Sequence, residues 1–242
     1  MRNEKIFLSL FILTCLFFVF GFSHPSNAEK AIVNNKEKSI EESYRDATNG
    51  ISDIDTSKFG VSSEISAISR NLTSEAPIAI EEYSTAQILS ETVDDKGNKD
   101  QLIAVTVFND IELKEEGAKI RTLGDKGNEE LTPFVRAYNR IYYQNSTDRG
   151  VAYAKLTRVT GGWEVFNPLT TLSNRVVRYG SSGWPNGSQA TVKYPIGNTY
   201  SYKTPSSWKR TALTGSYAIG TNSTVTVKRG SSTWTVKVKT NL

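Results

Sequence analysis

Thr224-Val225-Thr226-Val227-Lys228-Arg229-Gly230-Ser231-Ser232-Thr233-Trp234-Thr235-Val236-Lys237-Val238-Lys239 is the stretch that decides the fold. Apolar and polar residues alternate with a period of two on both sides of a Gly- and Ser-rich turn, the signature of a hairpin with one dry and one wet face. Val225 and Val227 share the dry face with Trp234, Val236 and Val238, and Thr and Lys line the wet one.

Similar segments extend upstream. Residues 190–194 read as a strand that stops at Pro195, and 174–179 as one that runs into Gly180-Ser181-Ser182-Gly183. Residues 151–160 lead through Gly161-Gly162 to 163–166, while 145–150 has the composition of a turn. Residues 134–143 fit either a helix or a strand. The strand is preferred because Tyr suits it, and it places Arg136, Tyr138, Arg140 and Tyr142 on one face and Val135, Ala137, Ile141 and Tyr143 on the other. Residues 84–93 and 101–108 flank the turn-rich 94–100 and predict another hairpin. Asp95-Lys96-Gly97-Asn98 recurs as Asp125-Lys126-Gly127-Asn128, two similar turns without the ligand spacing of an EF-hand. The fold class expected is mainly β, an antiparallel β-sandwich or open barrel. A polar, partly helical or disordered N-terminal segment precedes it.

That segment, 29–80, is acidic and poor in apolar residues, so it reads as a linker or pro-region before a β-domain at 81–242. Ser39-Ile40-Glu41-Glu42 has capping-box spacing and Asn49-Gly50 can stop a helix, which predicts a helix over 40–48. A second helix is expected over 62–70, where Ile65, Ile68 and the following Leu72 fall on one stripe.

Residues 1–28 read as a cleavable secretory signal: Arg2 and Lys5, an apolar run from Ile6 to Phe22, then Pro25 and the small residues Ser26-Asn27-Ala28. Cys15 lies inside the apolar run, in the wrong context for lipid attachment. No later stretch approaches transmembrane length. The expected location is therefore extracellular, with non-covalent association to a cell wall. The signal and the Lys- and Asn-rich composition point to a Gram-positive source. His24, Cys15 and Met1 are the only residues of their kinds and leave with the signal. The mature chain then lacks disulfides, His/Cys metal sites and His-dependent nucleophilic catalysis, and no cofactor is expected.

Charge divides the remaining chain. Residues 29–130 hold 22 acidic against 12 basic residues, and 131–242 hold 2 against 15. All four Trp and nine of eleven Tyr lie in the basic half. Arg and Lys neutralise phosphate, and interleaved rings stack on sugars or bases. The expected function is non-catalytic binding of an anionic cell-wall polymer or lipid headgroups, with nucleic acid a poorer fit outside a cell. The broad set of candidate cations is Arg136, Arg140, Lys155, Arg158, Arg175, Arg178, Lys193, Lys203, Lys209 and Arg210. The binding residues selected are Arg136, Tyr138, Arg140, Tyr142, Arg175, Arg178, Trp184, Tyr200, Tyr202 and Trp208, with Trp163 and Trp234 assigned to the core. Two alternatives stand beside this: a secreted toxin or antimicrobial factor masked by its acidic region, and a glycan hydrolase. The hydrolase needs two carboxylates, and the basic half offers only Asp148 and Glu164, which nothing marks as a pair.

Overall fold

The computed structural model describes residues 36–67, 78–95, 97–113 and 133–242. The expected signal and the turn at 125–128 lie outside the described residues. In chain order the elements are β1 (Lys36–Glu37), α1 (Ile40–Thr48), a 3-10 turn (Thr56–Lys58), β2 (Gly60–Ala67), β3 (Ile78–Val93), β4 (Lys99–Leu113), β5 (Val135–Asp148), β6 (Val151–Val165), β7 (Thr170–Gly183), β8 (Gly187–Lys193), β9 (Thr199–Lys203), β10 (Thr211–Ala212), β11 (Ala218–Arg229) and β12 (Ser232–Asn241). Among the described residues they form two antiparallel sheets. One has the order β1-β3-β4-β5-β6-β10, with β9 also paired to β6, and the other β2-β12-β11-β7-β8.

The sheets face each other as a sandwich over one apolar core. The hairpin that decided the fold pairs Val225 with Val236 and Val227 with Trp234, and all four are buried with Val238. Trp163 is buried in the same core. From β5 the core receives Val135, Ala137, Ile141 and Tyr143. Asn139 also points inward, donating to the Val238 carbonyl of the facing sheet at 2.8 Å and accepting from the Tyr200 hydroxyl at 2.5 Å.

The opposite face of β4 and β5 is covered as well. α1 lies across it, with Ser43 and Ala47 fully buried and Tyr44 packed on Phe108 and Tyr138. Small residues one turn apart let the helix approach the sheet closely. Ser39 caps the helix by accepting from the Glu42 amide at 3.0 Å. The chain after α1 is tied to β3: Ser52 Oγ accepts from the Ala86 amide at 2.8 Å, Asp53 Oδ2 from the Ile88 amide at 3.0 Å, and Gln87 donates to the Ile51 carbonyl at 2.7 Å. Lys38 pairs with Asp46 at 2.7 Å and with Asp53 at 3.4 Å.

The hairpin at 84–108 and the strand over 134–143 are found, longer than expected. The residues 145–150 do not form a turn of that length. β5 runs to Asp148, and only Arg149 and Gly150, both with positive φ, make the connection to β6. The expected second helix is corrected: 60–67 is the strand β2, paired along β12 from Asn241 to Trp234. Val61 and Ile65 are β-branched and three serines lie between 62 and 66, so helix propensity is weak, and the open edge of β12 supplies ladder partners. Residues 68–70 lie outside the described ones.

Gly161-Gly162 and Gly180 sit inside continuous strands rather than ending them. At Gly161 the reason is steric. A Cβ there would fall on the Tyr200 hydroxyl and within 2.5 Å of the Tyr138 carbonyl oxygen.

Candidate binding groove

The residues selected from sequence fall into several places. Tyr138, Tyr142 and Tyr200 line one groove, and Arg140 lies beneath it. Arg136 is taken by Asp110 through two hydrogen bonds of 2.6 and 2.7 Å. It also lies against the rings of Tyr83, Phe108 and Phe166. Tyr202 stacks between Tyr200 and Tyr179, and Trp208 is buried against Tyr179. Arg175 donates to Asn198 at 2.5 Å. Arg178 is exposed beside a shallow polar depression lined by Ser182, Ser188 and Asn222. Trp184 is 65% exposed, next to Tyr153 on another part of the surface.

The groove has a volume of about 440 Å³. The first turn of α1 gives Ile40, Glu41 and Tyr44 to its rim. β5 gives Tyr138 and Tyr142, β6 gives Arg158 and Thr160, and β9 gives Thr199, Tyr200 and Ser201. Tyr44 and Tyr138 meet at 5.9 Å between ring centroids. The Tyr142 ring takes two guanidinium groups, Arg140 at 5.3 Å and Arg158 at 5.6 Å. Ser201 Oγ accepts from Nε and Nη2 of Arg158, at 3.1 and 2.8 Å.

Arg140 is the electrostatic centre. Its exposure is 0%, and among the described residues it donates to neutral acceptors: Gln87 Oε1 at 3.1 Å, Thr106 Oγ1 at 2.5 Å and Ser43 Oγ at 2.8 Å. Its Nε has no partner among the described residues. No described carboxylate lies within ion-pair distance, in contrast with Arg136 four positions away. Burial pulls its pKa below the ordinary arginine value, and Tyr142 and Tyr44 push it back. Arginine stays protonated in proteins, so a cation without a counterion among the described residues sits under the groove floor. Such a charge costs several kcal/mol to bury unless something compensates it, and the faces of Tyr44 and Tyr142 do so in part.

Burial raises the pKa of Tyr44 well above the ordinary phenol value, with Tyr138 and Glu164 adding to it. It raises Tyr138 as well, and the Tyr44 hydroxyl draws that back somewhat. Both phenols therefore remain neutral hydrogen-bonding groups at any physiological pH. The groove lining presents Arg158, Tyr44, Thr160, Thr199 and Ser201 beside the largely buried Tyr138, Tyr142 and Tyr200, with Arg140 buried behind it and Glu41 its one carboxylate among the described lining residues. No group of three or more His, Cys, Asp or Glu side chains gathers among the described residues.

Sequence reasoning missed Tyr44, Glu41, Thr160 and Ser201, and left Arg158 in the wider basic set. One signal was present: Ile40 and Tyr44 are an i, i+4 pair at the start of a capped helix, which puts both on one face. Comparison with protein-family models, with curated proteins and with solved structures finds no match. What the fold and the groove define is a class: an antiparallel sandwich with a tyrosine-lined, positively charged cleft under its one described α-helix.

Proposed function

We propose that this is a secreted, non-catalytic binding protein that holds a segment of an anionic envelope polymer in the tyrosine groove. The observation that carries the reading is Arg140, buried without a carboxylate partner among the described residues, beneath tyrosine rings of a kind that stack on sugars. A phosphate or carboxylate entering the groove would supply the missing negative charge at low dielectric, where it counts most. Arg158 would meet it at the mouth, and Tyr44, Tyr138 and Tyr142 would contact the adjoining ring or glycerol units. The wider surface supports this. Arg178, Lys193, Lys203 and Lys209 are exposed and form no ion pair with a described residue, so they favour approach of a polyanion. With Glu41 the one carboxylate lining the groove, a two-carboxylate hydrolytic pair is not assembled among the described lining residues.

Retention on purified Gram-positive cell walls, with and without teichoic acid and across a salt series, tests the proposal. The wild type is expected to be retained only by walls carrying the polymer, less so as salt rises. Arg158→Gln, a change at a half-buried position, is expected to weaken binding about tenfold through loss of a charge-assisted contact. Retention that ignores salt, or that ignores removal of the polymer, would sink the reading.

A further inference from the structure

The connection from β8 to β9 carries an apolar tip that the groove does not use. Ile196 is 98% exposed, Tyr194 72%, and Val192 at the end of β8 42%. Such exposure on a free chain end would mean little. This tip, however, is anchored at its base. The Asn198 carbonyl accepts from the Trp163 amide at 2.8 Å, and Arg175 Nη2 donates to Asn198 Oδ1 at 2.5 Å. Trp163 is itself buried in the sandwich core. The loop therefore holds Tyr194 and Ile196 out in water from a fixed footing, forgoing the burial that would be worth most to them.

Among the described residues, the charges flanking the tip along the chain and at its base are cationic. Lys193 precedes it, Lys203 closes the short strand that follows, and Arg175 sits at its base; both lysines are exposed. No acidic residue occurs anywhere after Glu164. Glu164 acts on the other face of its sheet, where its charge raises the Tyr44, Tyr83 and Tyr138 phenols beside α1.

We propose that this tip docks the protein on an anionic phospholipid bilayer. Ile196 and Tyr194 enter the boundary between headgroups and acyl chains, and Lys193, Lys203 and Arg175 meet lipid phosphates. A tyrosine beside an aliphatic residue suits that boundary, since its ring sits in the apolar layer and its hydroxyl in the headgroups. A bilayer fits better than a protein partner. Two or three protruding side chains present far less surface than a stable protein interface of about 1,200 Å² or more needs. Among the described residues, the flanking charge is also of one sign, matching an anionic sheet. The inference uses no groove residue and does not rest on the polymer reading.

The experiment is flotation of the chain beginning at Glu29 with vesicles of phosphatidylcholine alone or mixed with phosphatidylglycerol. That starting point keeps every described residue and removes the apolar run from Ile6 to Phe22, which would bind lipid by itself. The wild type is expected to float with the phosphatidylglycerol vesicles only, less so at high salt. Ile196→Ser is expected to lower the partition coefficient about tenfold or more, with an unchanged melting temperature because the side chain packs on nothing. Ile196→Trp should shift its fluorescence to the blue on adding those vesicles. Arg158→Gln should float like the wild type, which separates this result from failure of the groove reading. Absence of flotation, equal flotation of Ile196→Ser, or an Ile196→Trp spectrum indifferent to lipid would overturn the proposal. So would a wild-type dimer that Ile196→Ser dissolves.

Discussion

Arg136 and Arg140 stand two strand repeats apart, point to the same face of β5 and have opposite surroundings. Arg136 forks onto Asp110, and that partner holds its pKa above the ordinary value. Arg140 has, among the described residues, only neutral oxygens and rings. The two should therefore respond differently to the same substitution. Arg136→Met strands a buried carboxylate and is expected to cost about 2 kcal/mol or more. Arg140→Met removes a desolvated charge and leaves the Gln87 oxygen without that donor, so the two effects offset and the net loss stays within about 1–2 kcal/mol. Denaturant midpoints check the stabilities. Only Arg140→Met is expected to weaken polymer binding, and equal binding loss in both variants would remove Arg140 from its proposed role. Gly161 makes a sharper test of geometry. Gly161→Ala drives a methyl into the Tyr200 hydroxyl and the backbone of β5, and is expected to cost about 1–3 kcal/mol. The Tyr200 ring would have to leave its place in the core beside Asn139, so the loss should show in stability.

At the scale of elements, α1 both covers the sheet and forms one rim of the groove, so whatever loosens it should loosen ligand. The Lys38–Asp46 pair joins its entry to its body. The hydrogen bond from Lys38 lowers the Asp46 pKa below 3.8 and raises that of Lys38 above 10.5. A depressed carboxyl contributes its stability fully above 3.8 and loses it as pH falls through the lower folded value. A raised ammonium contributes fully below 10.5 and loses it as pH climbs through the higher one. The pair is thus intact between those limits, and its effect is modest and screened by salt. Acidification below pH 3.8 is expected to lower the amide-exchange protection of α1, relative to the intrinsic rate at that pH, before the sheets open. In Asp46→Asn that early step should vanish, and its persistence would mean that another group controls the helix.

The same elements show what a sequence can carry. The period-two pattern of 224–239 specified faces and partners together, because both strands and their turn are local. The capping box placed α1 within a residue, since a cap is a contact three positions long. Residues 60–67 misled because serine-rich segments have weak preference, and the partner that decides, β12, enters from the far end of the chain. The groove was legible only in part for the same reason. Alternation put Tyr138, Arg140 and Tyr142 on one face of β5, but it cannot say whether a face is wet or covered. That depended on α1, which brings Tyr44 and Ser43 from nearly a hundred residues away.

For the whole molecule, the charge split between the acidic and basic halves invites the idea of a basic domain released from an acidic mask. The architecture distributes the two halves differently. The acidic half supplies β3 and β4, whose Ile103, Val105, Val107 and Ile111 form part of the sandwich core, and β4 lies directly beside β5 from Gln101 to Ile111. It also supplies β2, which covers the edge of β12, and α1, which covers Arg140. A fragment of 131–242 would keep β5 to β12 but expose a long edge of β5, part of its core and a cation previously out of water. Unpaired strand edges next to apolar surface favour aggregation. The isolated fragment is expected to lack a cooperative thermal transition, to bind hydrophobic dye and to lose polymer affinity. Adding residues 29–130 as a separate chain should restore structure rather than suppress an activity. A fragment that melts cooperatively by itself and inhibits growth of an indicator strain would reverse this reading and make the acidic half a detachable mask.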